Sequence, residues 1–294
     1  MGLGALGCMY AAKLQDTGAA SVSVIADPER ISKYRNSVFT VNGQEHRFRY
    51  ISPGDEAPFA DLIIVAVKFN ALPQAIADLK AFTGPETIII SLLNGISSEE
   101  LIAEAVGVEH LLHAYAVGMD AMRDGTAVHY SVMGRIVFGD RSRQLTAKVL
   151  AVKDLFERSE IPFFIPENIE RALWAKFMMN VGINQASTIL SAPYQAFKDN
   201  SPARELMVMA SREVLQLSGV LGIHLNEDDI SDFIKIIETL SPGGKSSMLQ
   251  DMEAKRKTEV EIFAGAVIEM GKKHNIPTPV NETFYRIIKH MESA

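Results

Sequence analysis

Residues 2–7 run Gly2-Leu3-Gly4-Ala5-Leu6-Gly7, and how these six are read decides the fold. The spacing is G-x-G-x-x-G, with helix-forming residues continuing to position 14. In a dinucleotide-binding turn the first glycine permits the tight bend and the second lets the backbone approach a pyrophosphate. The third allows close packing of helix on strand, and the helix N-terminus attracts the anion. Alone, the motif also fits a structural glycine turn. Its setting favours cofactor binding by residues 2–7, because 21–25 predicts a strand and Asp27 follows Gly7 by twenty residues, where a ribose-binding acid belongs.

Asp27 carries two further readings. A carboxylate there suits the 2′-hydroxyl of NAD and repels the 2′-phosphate of NADP, while Arg30 supplies the opposite preference. Asp27-Pro28 is equally a helix N-cap followed by proline at the first helical position. No strand precedes Gly2, although the first strand normally forms the centre of such a sheet. A gap there exposes ladder groups and removes core burial, so the expectation is a truncated or mis-started sequence.

Outward from the glycine motif, short β-branched runs alternate with helical stretches, the pattern of an α/β Rossmann-like domain with a mostly parallel sheet. The strands are expected at 21–25, 62–67, 87–92, 110–116 and 161–165. Asn42-Gly43 predicts a hairpin between 39–41 and 47–51, and a second hairpin is expected between 126–130 and 135–138, giving a mixed sheet. From about residue 168 strand signals cease. Amphipathic segments at 168–190, 203–219, 226–239, 247–273 and 279–293 predict an all-α second domain. Pro162 and Pro166 punctuate the junction, so residues 1–166 are read as a dinucleotide-binding domain and 167–294 as a helical substrate domain.

Composition excludes several classes. Of 294 residues, 47% are hydrophobic and 22% charged, the balance of a soluble globular protein. The chain shows no membrane-spanning apolar run and no leader pattern, so a cytoplasmic location is expected. One cysteine, Cys8, precludes an internal disulfide framework, and no Cys/His spacing suggests a metal. A formal charge of −7 argues against a nucleic-acid partner.

Several segments together carry a resemblance: GLGALG at 2–7, VAVKFN at 65–70, LLNG at 92–95, ENIERALWAKFMMNVGIN at 167–184, KSSMLQDMEAKRKTEVE at 245–261 and GAVIEMGKKHNIPTPVNETFYRIIK at 265–289. The chain resembles the ketopantoate reductase family over nearly its whole length. Lys176, Asn180 and Asn184 recur every fourth residue, so on a helix they form one polar stripe about 12 Å long in an otherwise apolar segment. A solvated face is the plain reading of such a stripe. The resemblance instead implies that Lys176 donates a proton and that Asn180 and Asn184 bind substrate. Hydride reduction of a ketone leaves an alkoxide, which needs a donor within hydrogen-bond reach.

The resemblance further implies catalytic Glu259 beside Lys176, substrate contacts from Ser246 and Ser247, and a cofactor contact at Ala121. Serines there also suit ordinary N-capping. Lys68 and Asn94 fall at or beyond the C-terminal ends of expected strands, where open α/β sheets bind ligands. By resemblance Lys68 lies near the cofactor, and Asn94 meets nicotinamide and substrate. One straight helix would separate Ser247 from Glu259 by roughly 18 Å. A break near 255–257 is therefore expected, with a new helix opened by a Thr258–Glu261 capping box, and Gly243-Gly244 is expected to free the preceding loop. The family often has proline where Gln185 stands and sometimes asparagine where Tyr194 stands; the Gln185 change is expected only to relax the helix.

The implied activity is NADP-dependent reduction of 2-dehydropantoate to (R)-pantoate, a step of pantothenate biosynthesis, with the site in the cleft between the domains. An NAD-dependent reductase of another branched or aromatic 2-oxo acid is the alternative, and a non-catalytic nucleotide-binding relative a lesser one. Apolar helices at 264–270 and 284–288 could complete the core or pair two subunits, and the resemblance makes a homodimer the expectation. More than one strand beyond residue 170 would count heavily against this architecture.

Overall fold

The computed structural model describes residues 1–199 and 201–293. Two compact units divide at Ile169 and Glu170. The first contains, in order, α1 (Ala5–Asp16), β1 (Ser23–Ile25), α2 (Pro28–Arg35), β2 (Phe39–Val41), β3 (Gln44–His46), β4 (Arg49–Ile51) and β5 (Leu62–Val65). It continues with α3 (Leu72–Leu79), β6 (Ile88–Ser91), α4 (Ser98–Val106), β7 (Leu111–Val117), β8 (Met122–Asp124), β9 (Ala127–His129), β10 (Arg135–Gly139), α5 (Ala147–Arg158) and β11 (Phe163–Phe164).

Strand β6 organises this unit. All four of its residues are buried, with Ile88 and Ile90 in one apolar cluster and Ile89 in another. Alternate side chains on a strand point to opposite faces, so a continuous apolar run means cover on both sides. On one side lie Met9 and Tyr10 of α1 and Val152 and Phe156 of α5; Leu72, Leu79 and Ile102 of α3 and α4 lie on the other. Phe138 meets Phe156 edge to face at 5.5 Å. The central sheet runs β11-β10-β7-β6-β5, parallel from β5 to β7 and antiparallel between β7 and β10. It is therefore mixed.

Two hairpin expectations need correction. Asn42 (φ 49°) and Gly43 (φ 83°) do make a hairpin turn, but the strand returning beside β2 is β3; β4 leaves to pair in parallel with β1. The segment expected at 47–51 is thus claimed by a different neighbour, after Phe48 turns into the apolar cluster of Phe39 and Val41. The hairpin expected between 126–130 and 135–138 is absent. There β9 turns back on β8 through Gly125 (φ 56°) and lies parallel to β2, whereas β10 pairs with β7 and β11. Loop length and composition gave the turns, but partner choice depended on distant strands.

The second unit is helical: α6 (Ile169–Leu190), α7 (Pro202–Val220), α8 (Glu227–Thr239), α9 (Ser247–Glu253), α10 (Ala264–His274) and α11 (Pro279–Met291). Among the described residues no strand follows Phe164, and no helix is long and apolar enough to cross a membrane. Glu213 of α7 accepts the Val280 and Asn281 N–H groups at 2.7 and 3.0 Å, placing a carboxylate at the start of α11. Gly182 brings α6 against α7, because a β-carbon there would stand 2.9 Å from the Met207 carbonyl oxygen.

At the beginning of the chain the Met1 ammonium donates to the Ile64 carbonyl at 2.6 Å, and burial lowers its pKa from 8.0 to about 6. Between these values the unfolded chain binds the proton more readily, so stability rises with pH. In protein whose first residue is Met1, urea unfolding should show about 2–3 kcal/mol gained from pH 6 to pH 8 and lost again on acidification. Nα-acetylated protein should lack that increment, and identical profiles for the two forms would refute the assignment.

Candidate functional site

The glycine loop is closed by backbone contact. Gly2 has φ +85°, and a β-carbon there would lie 2.6 Å from the Ala66 carbonyl oxygen; one on Gly7 would lie 1.8 Å from the Gly2 carbonyl oxygen. The third glycine therefore admits the first turn of the loop itself as well as the strand behind it. Gly4 is different, since the nearest neighbour of a β-carbon would be 4.0 Å away. Gly4 caps α1 with no side chain bonded to the helix end. First-turn amides without a side-chain cap attract an anion. These features fit a pyrophosphate, with Gly2, Gly4 and Ala5 offering backbone while Leu3 and Leu6 pack into apolar clusters.

Arg123 was not anticipated from sequence. It extends from β8, donates Nη1 to the Leu3 carbonyl and Nε to the Gly125 carbonyl at 2.7 Å, and stands 5.5 Å from the centre of the Phe39 ring. No local motif marks it, because the contact spans 120 positions.

Asp27 caps α2, its Oδ1 accepting the Arg30 N–H at 2.8 Å, while its Oδ2 lies 3.6 Å from Arg30 Nε. Both residues line a small cavity with Gly2, Tyr34, Gln74 and Asp78. Asp78 is buried and accepts from Gln74 at 2.8 Å. Two carboxylates and one guanidinium thus surround this space. Lys68 is exposed beyond β5, and Asn94 is half-buried beyond β6, one residue before Gly95 (φ 90°). Behind Asn94 a buried chain runs from Ser91 through Ser98 to Glu99, with oxygens 2.8 Å apart at each link. Half-buried Ala121 follows Asp120, which accepts from Ser131 and Val132. Those bonds, led by the Ser131 hydroxyl, hold the Asp120 carboxyl below its usual range.

In the helical unit the stripe lies on α6. Lys176 is half-buried, whereas Asn180 and Asn184 are 8% and 5% exposed. Asn184 Nδ2 donates to Asn180 Oδ1 at 3.3 Å, and Asn184 Oδ1 accepts from Ser247 Oγ and Met248 N at 3.2 and 3.3 Å. The stripe is therefore not a solvated face. Ser246 caps α9 and its hydroxyl meets that of Ser187 at 2.5 Å, so it secures the turn that presents Ser247. Gln185 joins α6 to α11 through Asn281 at 2.9 Å, a larger role than relaxing the helix, and its own Oε1 is buried without a hydrogen-bond partner.

The break after α9 exists, with Lys255 at φ 53°. The expected capping box does not form: Thr258 donates its hydroxyl to Glu292, while Glu261 pairs with Tyr285 and Lys289. Half-buried Glu259 lies before a single 3₁₀ turn at Val260–Ile262, and the helix resumes only at Ala264. Gly244 is also not a free hinge. Its carbonyl accepts the Tyr194 N–H at 2.9 Å, and a β-carbon on Gly244 would come within 2.9 Å of the Tyr194 ring, so glycine serves close approach there.

Family models match both parts of the chain: Ketopantoate reductase PanE/ApbA over residues 1–143 and Ketopantoate reductase PanE/ApbA C terminal over 168–292. The chain belongs to the ketopantoate reductase family. The 2-dehydropantoate 2-reductase of Pyrococcus horikoshii is 27% identical, covering 100% of this chain and 96% of the relative. D-mandelate dehydrogenase, solved as a ternary structure with NADH and anilino(oxo)acetate, superposes with TM-score 0.86 at 23% identity over 99% of this chain and 96% of that one. The dimeric ketopantoate reductase from Staphylococcus aureus gives 0.82 at 21% identity over 99% and 97%. The chain is thus an oxidoreductase of this family with a Rossmann-type nucleotide-binding fold.

The open space before Gly4 gives a selective test. Gly4→Val should fold with nearly unchanged Tm yet bind dinucleotide at least ten-fold more weakly, whereas Gly7→Ala should disrupt the loop and lower Tm. Fluorescence titration with NADPH and NADH, beside thermal melts, measures both; undiminished affinity in Gly4→Val would remove the loop from the site.

Proposed function

We propose that this protein reduces a 2-oxo acid with a nicotinamide cofactor, 2-dehydropantoate to (R)-pantoate with NADPH being the leading reaction. The observation that carries the reading is the pair of buried amides, Asn180 and Asn184, bonded to each other one turn beyond Lys176 and met by the exposed hydroxyl of Ser247. Amide and hydroxyl groups of this kind orient a small polar acid, and burial of the amides strengthens their hydrogen bonds. When bound, the nicotinamide supplies hydride to the ketone carbon. Lys176 then gives a proton to the ketone oxygen as negative charge develops there. Glu259 favours the charged lysine that this requires. Gly2–Gly7 and Ala121 hold the cofactor by backbone, with Lys68 adding positive charge, and Asn94 orients the reacting groups. A homodimer, as in the Staphylococcus relative, and a cytoplasmic location accompany this reading.

A second reading has a specific basis. Asp27 and Asp78 disfavour a 2′-phosphate, and Arg30 already lies beside Asp27; Tyr194 adds an aromatic surface at the Gly244 loop. These favour NADH and a branched or aromatic 2-oxo acid, in line with the mandelate dehydrogenase relative. Rates with each cofactor across a panel of oxo acids decide between the two, and no turnover with any pair would reject both.

Two substitutions probe the mechanism and the cofactor choice. Lys176→Ala should lower kcat by roughly 100-fold or more with dinucleotide affinity little changed, and Lys176→Arg should restore substrate binding better than rate. Near-normal turnover in the alanine variant would end the assignment. Asp27→Asn keeps a good capping residue while removing the charge, so it should shift preference towards NADPH by roughly ten-fold without a stability loss. An unchanged NADPH to NADH ratio would exclude Asp27 from cofactor discrimination.

A further inference from the structure

Strand β6 leaves the sheet at a defined point. The Leu92 N–H still bonds to the Val65 carbonyl at 2.9 Å, but the next amide, that of Leu93, donates to the Ser91 hydroxyl oxygen at 3.3 Å. A hydroxyl that accepts from the amide two residues on bends the chain out of its extended path. Asn94 follows at once, and Gly95 at φ 90° continues the turn. Ser98, the first residue of α4, then brings its hydroxyl to 2.8 Å from that of Ser91. Residues 92–97 thus form a loop whose base is fastened by two serines, and Asn94 lies within it.

The direction of these bonds is set from one end. Glu99 Oε2 accepts the Ser98 hydroxyl proton at 2.8 Å. A hydroxyl has a single proton to give, so between the two serines Ser91 is the donor, and Ser91 in turn accepts from Leu93. Every donor in the series Leu93 N–H, Ser91, Ser98 therefore points towards one carboxylate. Ser91, Ser98 and Glu99 are 0%, 2% and 3% exposed, so water does not compete for the bonds and each polarises the next. Burying a carboxylate is costly, and an acid that serves only the positive end of α4 has no need of it. Glu100, in the same first turn, is exposed.

We propose that Glu99 is a positioning residue for the reduction: through Ser98 and Ser91 it fixes the turn at Leu93, and so the direction in which Asn94 is presented. Such a role rests on the reading that Asn94 orients the reacting groups. The series acts through the backbone immediately before Asn94, because its last bond ends on the Leu93 amide. Hydride transfer is sensitive to placement of this kind, since a shift of about 1 Å in a positioned group costs up to roughly 100-fold in rate. Loosening the loop leaves the glycine turn at residues 2–7 untouched, so rate and dinucleotide affinity should part company.

Ser98→Ala interrupts the series and removes one oxygen without adding bulk, so the variant should fold. In the protein without cofactor, amide exchange at Leu93 should quicken by about ten-fold or more while exchange at Ile89, earlier in the same strand, stays as it was. Ser91→Ala should do the same, and Glu99→Gln, which keeps an acceptor but loses the charge, should act in the same direction by a smaller factor. With cofactor and oxo acid, assayed well below each variant's Tm, Ser98→Ala should lower kcat by about ten-fold with NADH and NADPH affinity little changed. In an Asn94→Ala background the added Ser98→Ala should cost nothing further. A normal kcat in Ser98→Ala, or an undiminished further loss in the Asn94→Ala background, would overturn the proposal, and unchanged exchange in Glu99→Gln would remove Glu99 as its anchor. Normal turnover in Asn94→Ala alone would reject the role of Asn94 and this inference with it, an outcome distinguishable because the exchange at Leu93 would still respond to Ser98→Ala.

Discussion

The approach of Gly7 to the Gly2 carbonyl is the constraint on which the first unit turns. With a β-carbon at either position the loop could not close on Ala66, and α1 could not start where it does. The direction of α1 delivers Met9 and Tyr10 to one face of β6 and leaves its first-turn amides beside the open space at Gly4. The packing of α1 on the core and the place of its N-terminal end are thus set by one backbone contact. Arg123 adds a distant clasp on the same loop, tying it to the β8–β9 hairpin through Leu3.

In the helical unit the corresponding organiser is polar. Asn184 uses its amide twice, donating to Asn180 and accepting from the first turn of α9, so helices separated by more than sixty positions share one polar cluster. Burying amides is unfavourable unless their bonds are made, and here the bonds define which face of α6 meets α9. Behind them Gln185, Asn281 and Glu213 connect α6, α11 and α7. The orphaned Gln185 oxygen marks the one point where that connection is incomplete among the described residues.

Periodicity made the helices from residue 169 onward legible, together with the core strands β5, β6 and β7, because burial on one or both faces leaves a local pattern. Lys176, Asn180 and Asn184 were legible as a stripe for the same reason. Strand partners were not. Arg49–Ile51 looks like the return limb of a hairpin until Phe48 is seen to be drawn into a cluster built largely from other segments. The Thr258–Glu261 pattern failed similarly, since Glu292, Tyr285 and Lys289 offer both residues better partners. Arg123 and the Ser91–Ser98–Glu99 chain left no motif, their partners being fixed by the fold.

Gly182 lies midway between Asn180 and Asn184, wedged against Met207 and Ser211 of α7. A helix locked by backbone contact on one side can neither roll nor slide to suit a differently shaped ligand. The azimuth of its polar stripe is then fixed by the fold, and any change of shape beside it has to come from other elements. Whatever meets that stripe must therefore adjust to α6, because α6 is held against α7 and cannot adjust in turn.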